Sequence, residues 1–424
     1  MKIFIHNVLL DDQRVDISIE GNLISSVEPT KGRPVVDADT TYIEGGHMAA
    51  FPPLVNAHTH SAMTLFRSYG VDLPLERWLN EKIWPNEANL DPEIVYWGSR
   101  LACIEMIKSG TACFNDMYFF HEETARAVDE MGMRAMLSLT CFDHFDPAKA
   151  EQLKHDFEDY ARFVAEWPSS SLVQWAVAPH AVYTVSGPTL RWIADFAREH
   201  KMRYHIHAAE TQTECSNSLA QHGATPVRWL QKNGVLGDNL IVAHGVWLDD
   251  EEIRMLGDAH STVVHNPCSN LKLGSGYAFK YNELRDAGVN VALGTDGCSS
   301  SDNLDMIEAM KFMSLLQKGW RLDPTALPAD ETLRVASLGG YRAVGLNGGV
   351  VAPGHLADIM LLNLDNLSFV PCSQSVCNLV YATHGEAVDT MIVDGKIIMQ
   401  HRQVAGEEET IREARRVVKK LIKV

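Results

Sequence analysis

Apolar and polar positions alternate along the first part of the chain. "KIFIHNVLL", "RVDISIEGN" and "LISSVEP" are short alternating runs cut by Asp, Gly and Pro, the period-two pattern of half-buried strands. In the first of them the pattern is interrupted at His6 and Asn7. The same grammar returns near the other end in "HLADIMLLNL" and "AVDTMIVDGKIIMQHRQVA", where Asp394-Gly395 between apolar residues is a hairpin signal. Chain termini often lie close together. Residues 1–55 and 351–424 are therefore expected to form one small β-sandwich. The closing stretch "EEETIREARRVVKKLIKV" has acids first and bases last, which suits the dipole of a terminal helix with a solvated face.

Between these ends the pattern changes. Eight near-continuous apolar runs stand out: "LVNAHTH", "TACFNDMY", "AMLSLTCF", "VQWAVAPH", "RYHIHAAE", "LIVAHG", "TVVHNP" and "VNVALGTDG". Helical periodicity separates most of them, as in "TLRWIADFAREH" and "DNLDMIEAMKFMSLLQK". Apolar strands alternating with helices indicate a parallel sheet built from βαβ units. Eight units over ~290 residues fit a (β/α)8 barrel. The predicted fold class is α/β: a (β/α)8 TIM-like barrel over residues 56–350 with a small β-sandwich domain built from both chain ends. The segment 61–108 is longer than one crossover helix needs, and long loops at the catalytic face commonly shape the pocket.

Composition narrows the function. With 46% hydrophobic and 22% charged residues in 424, the chain reads as a globular enzyme with a large core. A net charge of −18 argues against nucleic acid as partner, which calls for a basic stripe. No apolar run reaches the ~18 residues of a membrane helix, and "MKIFIHNVLLDD" reads as a strand, not a signal peptide. The eight cysteines are scattered without a C-x-x-C pair. They read as reduced, mostly buried thiols in the cytoplasm.

Candidate chemistry begins at "FPPLVNAHTHSAMT". Strand residues i and i+2 share a face, so His58 and His60 project together at the C-terminal end of the first barrel strand, where barrel enzymes hold their chemistry. An H-x-H pair alone is usually structural. Here, however, other runs end alike: His180 in "APH", His205 and His207 in "HIHAAE", His244 in "AHG", Asp296 in "GTDG". A titratable group closes five of the eight runs, and a barrel brings all of them to one rim. His58, His60, His207 and Asp296 supply three nitrogens and one oxygen, a set suited to one divalent metal, Zn2+ or Fe2+. Such an ion lowers the pKa of a bound water. His205 shares a face with His207 and is the outer partner rather than the ligand. Glu210 leaves the fifth strand beside the metal as proton donor and acceptor. His244 and Asp296 hold or accept the water's proton.

"NAHTHSAMTLFR", "HIHAAET", "AHGVWL", "HNPCSNLKLGSG" and "GTDGCSSSDNLDM" together resemble the amidohydrolase superfamily, in the branch that deaminates aminopurines and related rings. The resemblance covers essentially the whole chain. It implies one metal rather than two, because the fourth strand ends in His180 and carries no lysine. It implies hydrolytic deamination of the 6-amino group of adenosine derivatives: 5′-methylthioadenosine, S-adenosylhomocysteine, adenosine or 5′-deoxyadenosine. It matches His180, and Glu87 in "IWPNEANL", to residues that contact the ribose; a carboxylate can accept hydrogen bonds from two vicinal hydroxyls. Barrels of this kind are often dimers or tetramers, so a homo-oligomer acting on a small molecule is expected.

One departure bears on specificity. Where a relative carries arginines for the amino-acid tail of S-adenosylhomocysteine, this chain has Leu139, and its nearest later cation is Lys149. A buried carboxylate without a partner is costly, so neutral 5′-tails are expected to be preferred. Trp84, Ser269 and Asn270 are candidate pocket residues, with Lys272 nearby; Trp84 serves as purine stack or as plain packing. Asn303 is read as a helix-start residue near the pocket. His121, His144, His155, His222 and His260 are read as surface. Guanine, cytosine, a pterin or a triazine are alternative ring substrates. A metal-free scaffold is the alternative of another class, and it would require ligand losses that the sequence does not show.

Overall fold

The computed structural model describes residues 2–32, 37–168 and 172–422. The opening segment forms β1 (Lys2–Leu10), β2 (Gln13–Glu20), β3 (Leu23–Pro29), β4 (Thr40–Glu44) and β5 (Met48–Phe51). Ile3, Ile5 and Val8 of β1 face Ile19, Ile17 and Val15 of β2. The irregularity at His6 and Asn7 is a β-bulge. Asn7 takes φ +56, which its short polar side chain tolerates. The Asp16 carboxylate holds the bulge by accepting from Asn7 N and binding His6 Nδ1, each at 2.9 Å. The extra residue keeps Val8 on the buried face.

The middle segment supplies β6 (Leu54–Thr59), β7 (Thr111–Asp116), β8 (Arg134–Cys141), β9 (Val173–Pro179), β10 (Arg203–Ala208), β11 (Leu240–His244), β12 (Thr262–His265) and β13 (Asn290–Leu293). They pair in parallel in chain order, one for each apolar run. Both faces of such a sheet are covered, and every residue of β6, β7, β11 and β12 is buried. The two edges meet without a regular ladder. Asp296 N donates to His58 O at 3.0 Å. The Asn56 amide clamps Thr295, donating to Oγ1 at 2.7 Å and accepting from N at 3.0 Å. Small and branched residues (Val55, Ala57, Ala176, Val264, Ala292) fill the interior, and Tyr341 joins that cluster.

The last segment returns as β14 (Ile359–Asn363), β15 (Val388–Val393) and β16 (Lys396–Met399). β14 pairs antiparallel with β5, Leu361 opposite Ala50. Both chain ends thus build one mixed sheet, ordered β16-β15-β14-β5-β1-β2-β3, with β4 also on β1. The sheet curls until Leu23 bridges Leu356, around a core of Ile3, Ile5, Ile17, Ile359 and Leu361. The terminal helix Glu407–Leu421 lies against the barrel instead, with Ala414, Val417 and Leu421 in one cluster with Ile94 and Val95 of helix Pro92–Lys108. Glu93 receives Arg416 and Lys420. Lys423 and Val424 lie outside the described residues.

After β6 the chain makes the helical turns Ser61–Phe66, Leu75–Trp78, Leu79–Ile83 and Trp84–Glu87 before helix Pro92–Lys108, which Asp91 caps. These turns cover the C-terminal mouth of the barrel. No helix among the described residues is long and apolar enough to cross a membrane. The cysteines are free thiols: four buried, three half-buried, and Cys372 exposed. His121 departs from its surface reading. Its ring packs 4.9 Å from Tyr160, 5.3 Å from Phe163 and 5.8 Å from Trp175, and burial lowers its pKa to about 4. The residue opens helix His121–Met131, and the aromatic faces of the next crossover enclose it. His222 is half-buried and stacks on Trp229 at 4.3 Å. His144, His155 and His260 are exposed.

Candidate active site at the C-terminal rim of the barrel

The histidines that close separate strands converge. The His58 ring lies 5.0 Å from His60, 4.8 Å from His207 and 5.4 Å from His244, centroid to centroid. Two groups of possible ligands share His58: His58, His207 and His244, and His58, His60 and Asp296. Within each group the donor atoms lie within 4.8 Å of one another. Asp296 Oδ1 is 3.3 Å from His58 Nε2 and 3.2 Å from His60 Nε2. His244 and Asp296 reach the rim through φ of +75 and +64. Such backbone is costly for residues with a Cβ and is retained where a site needs it.

Outer partners aim the rings. His60 Nδ1 donates to Met117 O at 2.5 Å and His207 Nδ1 to His180 O at 2.9 Å. His58 Nδ1 lies 3.0 Å from His205 Nε2. With Nδ1 engaged, Nε2 of each ring is left for the centre. The fully buried His58 Nε2 has no hydrogen-bond partner, an orphan of the kind that a cation satisfies. His244 is held differently: Asn270 Nδ2 donates to its Nδ1 at 2.9 Å, which places the proton of a neutral ring on Nε2, 3.8 Å from Glu210 Oε2. Asp296 Oδ2 accepts from Ser269 Oγ at 2.6 Å and Ser300 Oγ at 2.8 Å, and Oδ1 accepts from Gly297 N at 2.8 Å.

Burial sets the charge state. It lowers His58 to about 4 and His207 well below the ordinary histidine range. Burial also opposes protonation of His60, but the hydrogen bond and charge of Asp296 prevail and push it up to about 9. Asp296 stays well below the usual carboxylate range, because the pull of His58 and His60, whose Nε2 atoms lie 3.3 and 3.2 Å from Oδ1, outweighs burial. Neutral His58 and His207 beside an ionised Asp296 fit one divalent cation, which would displace the proton that His60 otherwise holds. Glu210 is raised by burial. Ser275 Oγ donates to its Oε1 at 3.0 Å, and its backbone N–H donates to Glu214 Oε2 at 2.7 Å.

A cavity opens over these groups. Its floor is His60, His207, His244, Glu210 and Asp296, while Leu75, Trp78, Leu79, Ile83 and Trp84 form the wall from the helical turns. Glu87 and His180 line the same space. Burial pushes Glu87 up to about 7, against the pull of the neighbouring Tyr118 hydroxyl. Burial, with nearby histidines, lowers His180 to about 3; its Nδ1 lies 3.0 Å from Thr184 Oγ1. Ser269 and Asn270 do not line the cavity. Both are buried behind it, on Asp296 and His244, because helix Pro267–Lys272 turns them inward. Lys272 pairs with Asp302 at 2.5 Å. Asn303 accepts from Asp305 N ahead of helix Met306–Arg321, whose N-cap is Asp305. Leu139 packs into the barrel's apolar layer, and Thr140 and Phe142 from the same strand end face the cavity. Lys149 is exposed on helix Pro147–Glu166. Among the described residues, no lysine or arginine lines the cavity. Tyr118, Phe142 and Tyr183 were missed as wall residues. The strand-end rule that found the histidines would have reached Tyr118 and Phe142 had it been applied to aromatic residues.

Residues 49–398 match the amidohydrolase family. A protein of Methanospirillum hungatei named 5′-deoxyadenosine deaminase is 44% identical over 413 residues, 97% of this chain and 92% of that one. One of Archaeoglobus fulgidus named 5-methylthioadenosine/S-adenosylhomocysteine deaminase 1 is 43% identical over 409 residues, 96% and 95% of the two chains. Among solved structures, an adenosine deaminase of Xanthomonas campestris with bound zinc superposes with TM-score 0.93 at 33% identity, over 100% of this chain and 98% of that one. An atrazine chlorohydrolase of Arthrobacter aurescens shares the fold, with TM-score 0.89 at 21% identity over 98% and 100%.

Proposed function

The chain belongs to the amidohydrolase family, and from that premise we propose that it is a metal-dependent deaminase. It would convert the 6-amino group of adenosine derivatives to the inosine analogue, releasing ammonia. One observation carries the reading. A single cavity combines a metal-fitting donor set, a buried glutamate with raised pKa, and the pair Glu87 and His180. The names of the 5′-deoxyadenosine and 5-methylthioadenosine/S-adenosylhomocysteine deaminases support the same substrate class.

His58, His60, His207 and Asp296 would hold the ion. The zinc of the Xanthomonas relative favours Zn2+, and the donor set also suits Fe2+. When bound, such an ion acidifies water in the site and stabilises developing negative charge. Asp296 takes up the attacking water's proton, and His244, whose Nε2–H is turned toward the site by the Asn270 hydrogen bond at Nδ1, orients that water as a donor. Glu210 protonates the ring nitrogen N1 as the water oxygen bonds to C6. The remaining proton of that water then leaves the C6 hydroxyl and reaches the departing amino group by way of Glu210, as the C6–N bond breaks and the C6 carbonyl forms. The proton held by Asp296 restores Glu210. Glu87 accepts hydrogen bonds from the two ribose hydroxyls and His180 contacts the same sugar. Trp84 and the apolar wall cover the base and exclude water. The lack of a lysine or arginine on the wall among the described residues supports neutral 5′-substituents, because a tail carboxylate would find no partner there.

Free thiols throughout suit a reducing compartment such as the cytoplasm. Exposed Phe312, Leu315 and Leu322 supply an apolar strip that suits self-association, and sedimentation tests that homo-oligomer. The activity is tested by following ring absorbance with zinc-loaded protein and 5′-deoxyadenosine, 5′-methylthioadenosine, adenosine, S-adenosylhomocysteine, guanine and cytosine. Fast turnover of the nucleosides is expected. Turnover of free bases alone would overturn the sugar reading, and no turnover at all would overturn the function.

A further inference from the structure

A second hollow adjoins the catalytic cavity. The two share Trp84, Glu87, Phe119 and Phe142. None of the residues around the metal-fitting cluster lines the second hollow, so it opens on the side of Glu87 and away from the chemistry. Beyond the shared wall it adds Ala88, Leu90, Phe120 and His144. We propose that this groove is a subsite for apolar 5′-substituents of the nucleoside, alkylthio or arylthio groups larger than methylthio. The proposal rests on the function proposed above: with the ribose held at Glu87, which lines both hollows, a 5′-substituent would have the shared wall of Trp84, Phe119 and Phe142 within reach.

Three observations argue for a built subsite. First, an aromatic series runs outward from the sugar position. His180 lies 4.9 Å from Phe142, which stacks on Phe119 at 6.2 Å and on His144 at 5.6 Å and 7°. Second, the loop that carries the series is fixed before any ligand arrives. Buried Asp143 accepts from Phe145 N and Ser186 N at 2.9 Å and from Ser186 Oγ at 2.5 Å. Third, Phe120 and His144 are held at φ +51 and +49, a conformation retained where the surroundings require it. Aromatic rings at such a mouth bind apolar and aryl groups by area and stacking. Among the described residues, Glu87 and His144 are the titratable groups of the groove, and neither lysine nor arginine lines it.

The test compares kcat/KM for 5′-deoxyadenosine, 5′-benzylthio-5′-deoxyadenosine and S-adenosylhomocysteine. Burying a phenyl group in a preformed groove should lower KM for the benzylthio compound about tenfold or more against 5′-deoxyadenosine, with kcat little changed. The ratio of the two kcat/KM values should fall about tenfold in Ala88→Trp, which fills the groove. His144→Arg should raise S-adenosylhomocysteine relative to 5′-deoxyadenosine by supplying a partner for its carboxylate. Good turnover of 5′-deoxyadenosine with a benzylthio compound about 100-fold poorer would overturn the subsite and leave the proposed function standing. So would a ratio that neither variant moves. Absence of turnover on all three would overturn both.

Discussion

Two buried polar clusters in this molecule are built on opposite principles. One joins the barrel to the sheet of the chain ends. Arg134, at the start of β8, places Nε 2.8 Å from Asp358 Oδ2, and its Nη2 reaches Asp358 Oδ1 at 3.2 Å and Asp394 Oδ1 at 2.9 Å. Tyr341 Oη and Asp394 N donate to the same Asp358 carboxylate, each at 2.7 Å. Both oxygens of the Asp358 carboxylate are thus used within the protein. At the catalytic rim, His58 Nε2, His205 Nδ1, Asn266 Oδ1 and Asn270 Oδ1 are buried without partners. A satisfied buried network holds parts together. An unsatisfied one is retained where something outside the chain completes it.

The largest expected effect breaks the rim alone. Glu210→Gln keeps shape and burial but cannot deliver the proton, so kcat should fall about 10^4-fold, near the top of the range for general acid–base groups. Its zinc content and Tm should stay near wild type. A smaller loss in kcat, of tenfold or less, would remove Glu210 from the chemistry.

Arg134→Met cuts the other cluster. Removing one partner leaves Asp358 charged, buried and short of its cation, so unfolding in denaturant should be easier by about 4 kcal/mol. The kcat of the molecules that remain folded should match wild type. A large drop in kcat without loss of stability would show that the two clusters are coupled.

Metal separates them a third way. Zinc at about 100 times its Kd should stabilise the wild type by about 2.7 kcal/mol, and a chelator should reverse it. His207→Ala should lose most of that gain, whereas Arg134→Met should keep it. Equal zinc stabilisation in His207→Ala and wild type would place the ion elsewhere.

The smallest effect sharpens the contrast within the cavity. Glu87→Gln should raise KM for 5′-deoxyadenosine by about 2 kcal/mol, the worth of hydrogen bonds to a charged acceptor. Burial lifts Glu87 to about 7. The ionised form accepts from both hydroxyls, so KM should fall as pH rises through about 7 and rise as Glu87 becomes protonated below it. Glu87→Gln should flatten that limb; its persistence in the variant would assign the titration to another group.

Much of this was legible beforehand because it is local. Alternation of period two marked the end strands, and near-continuous apolar runs marked each of β6 to β13. A residue's place at the end of such a run was enough to draw His58, His60, His207, His244 and Asp296 to one rim, since a parallel barrel admits no other arrangement of strand ends. Glu87 was found by resemblance, not by pattern: it sits on a short turn with no periodicity to announce it. Ser269 and Asn270 could be read as pocket-lining or as loop-turning residues, and they lie behind the wall, because the inward face of a six-residue helix cannot be read from six residues. His121 looked like a surface residue until the rings of the following crossover folded over it.

The chain by itself determined which elements form and which ends of them carry histidine or carboxylate, because backbone geometry imposes periods that short windows reveal. Tertiary structure alone decided which distant partners meet: Asn56 with Thr295, Arg134 with Asp358, and the rings of Phe119, Phe142 and His144 in one groove. Those contacts join residues brought together by barrel closure and loop packing, and no local period encodes the distance between them.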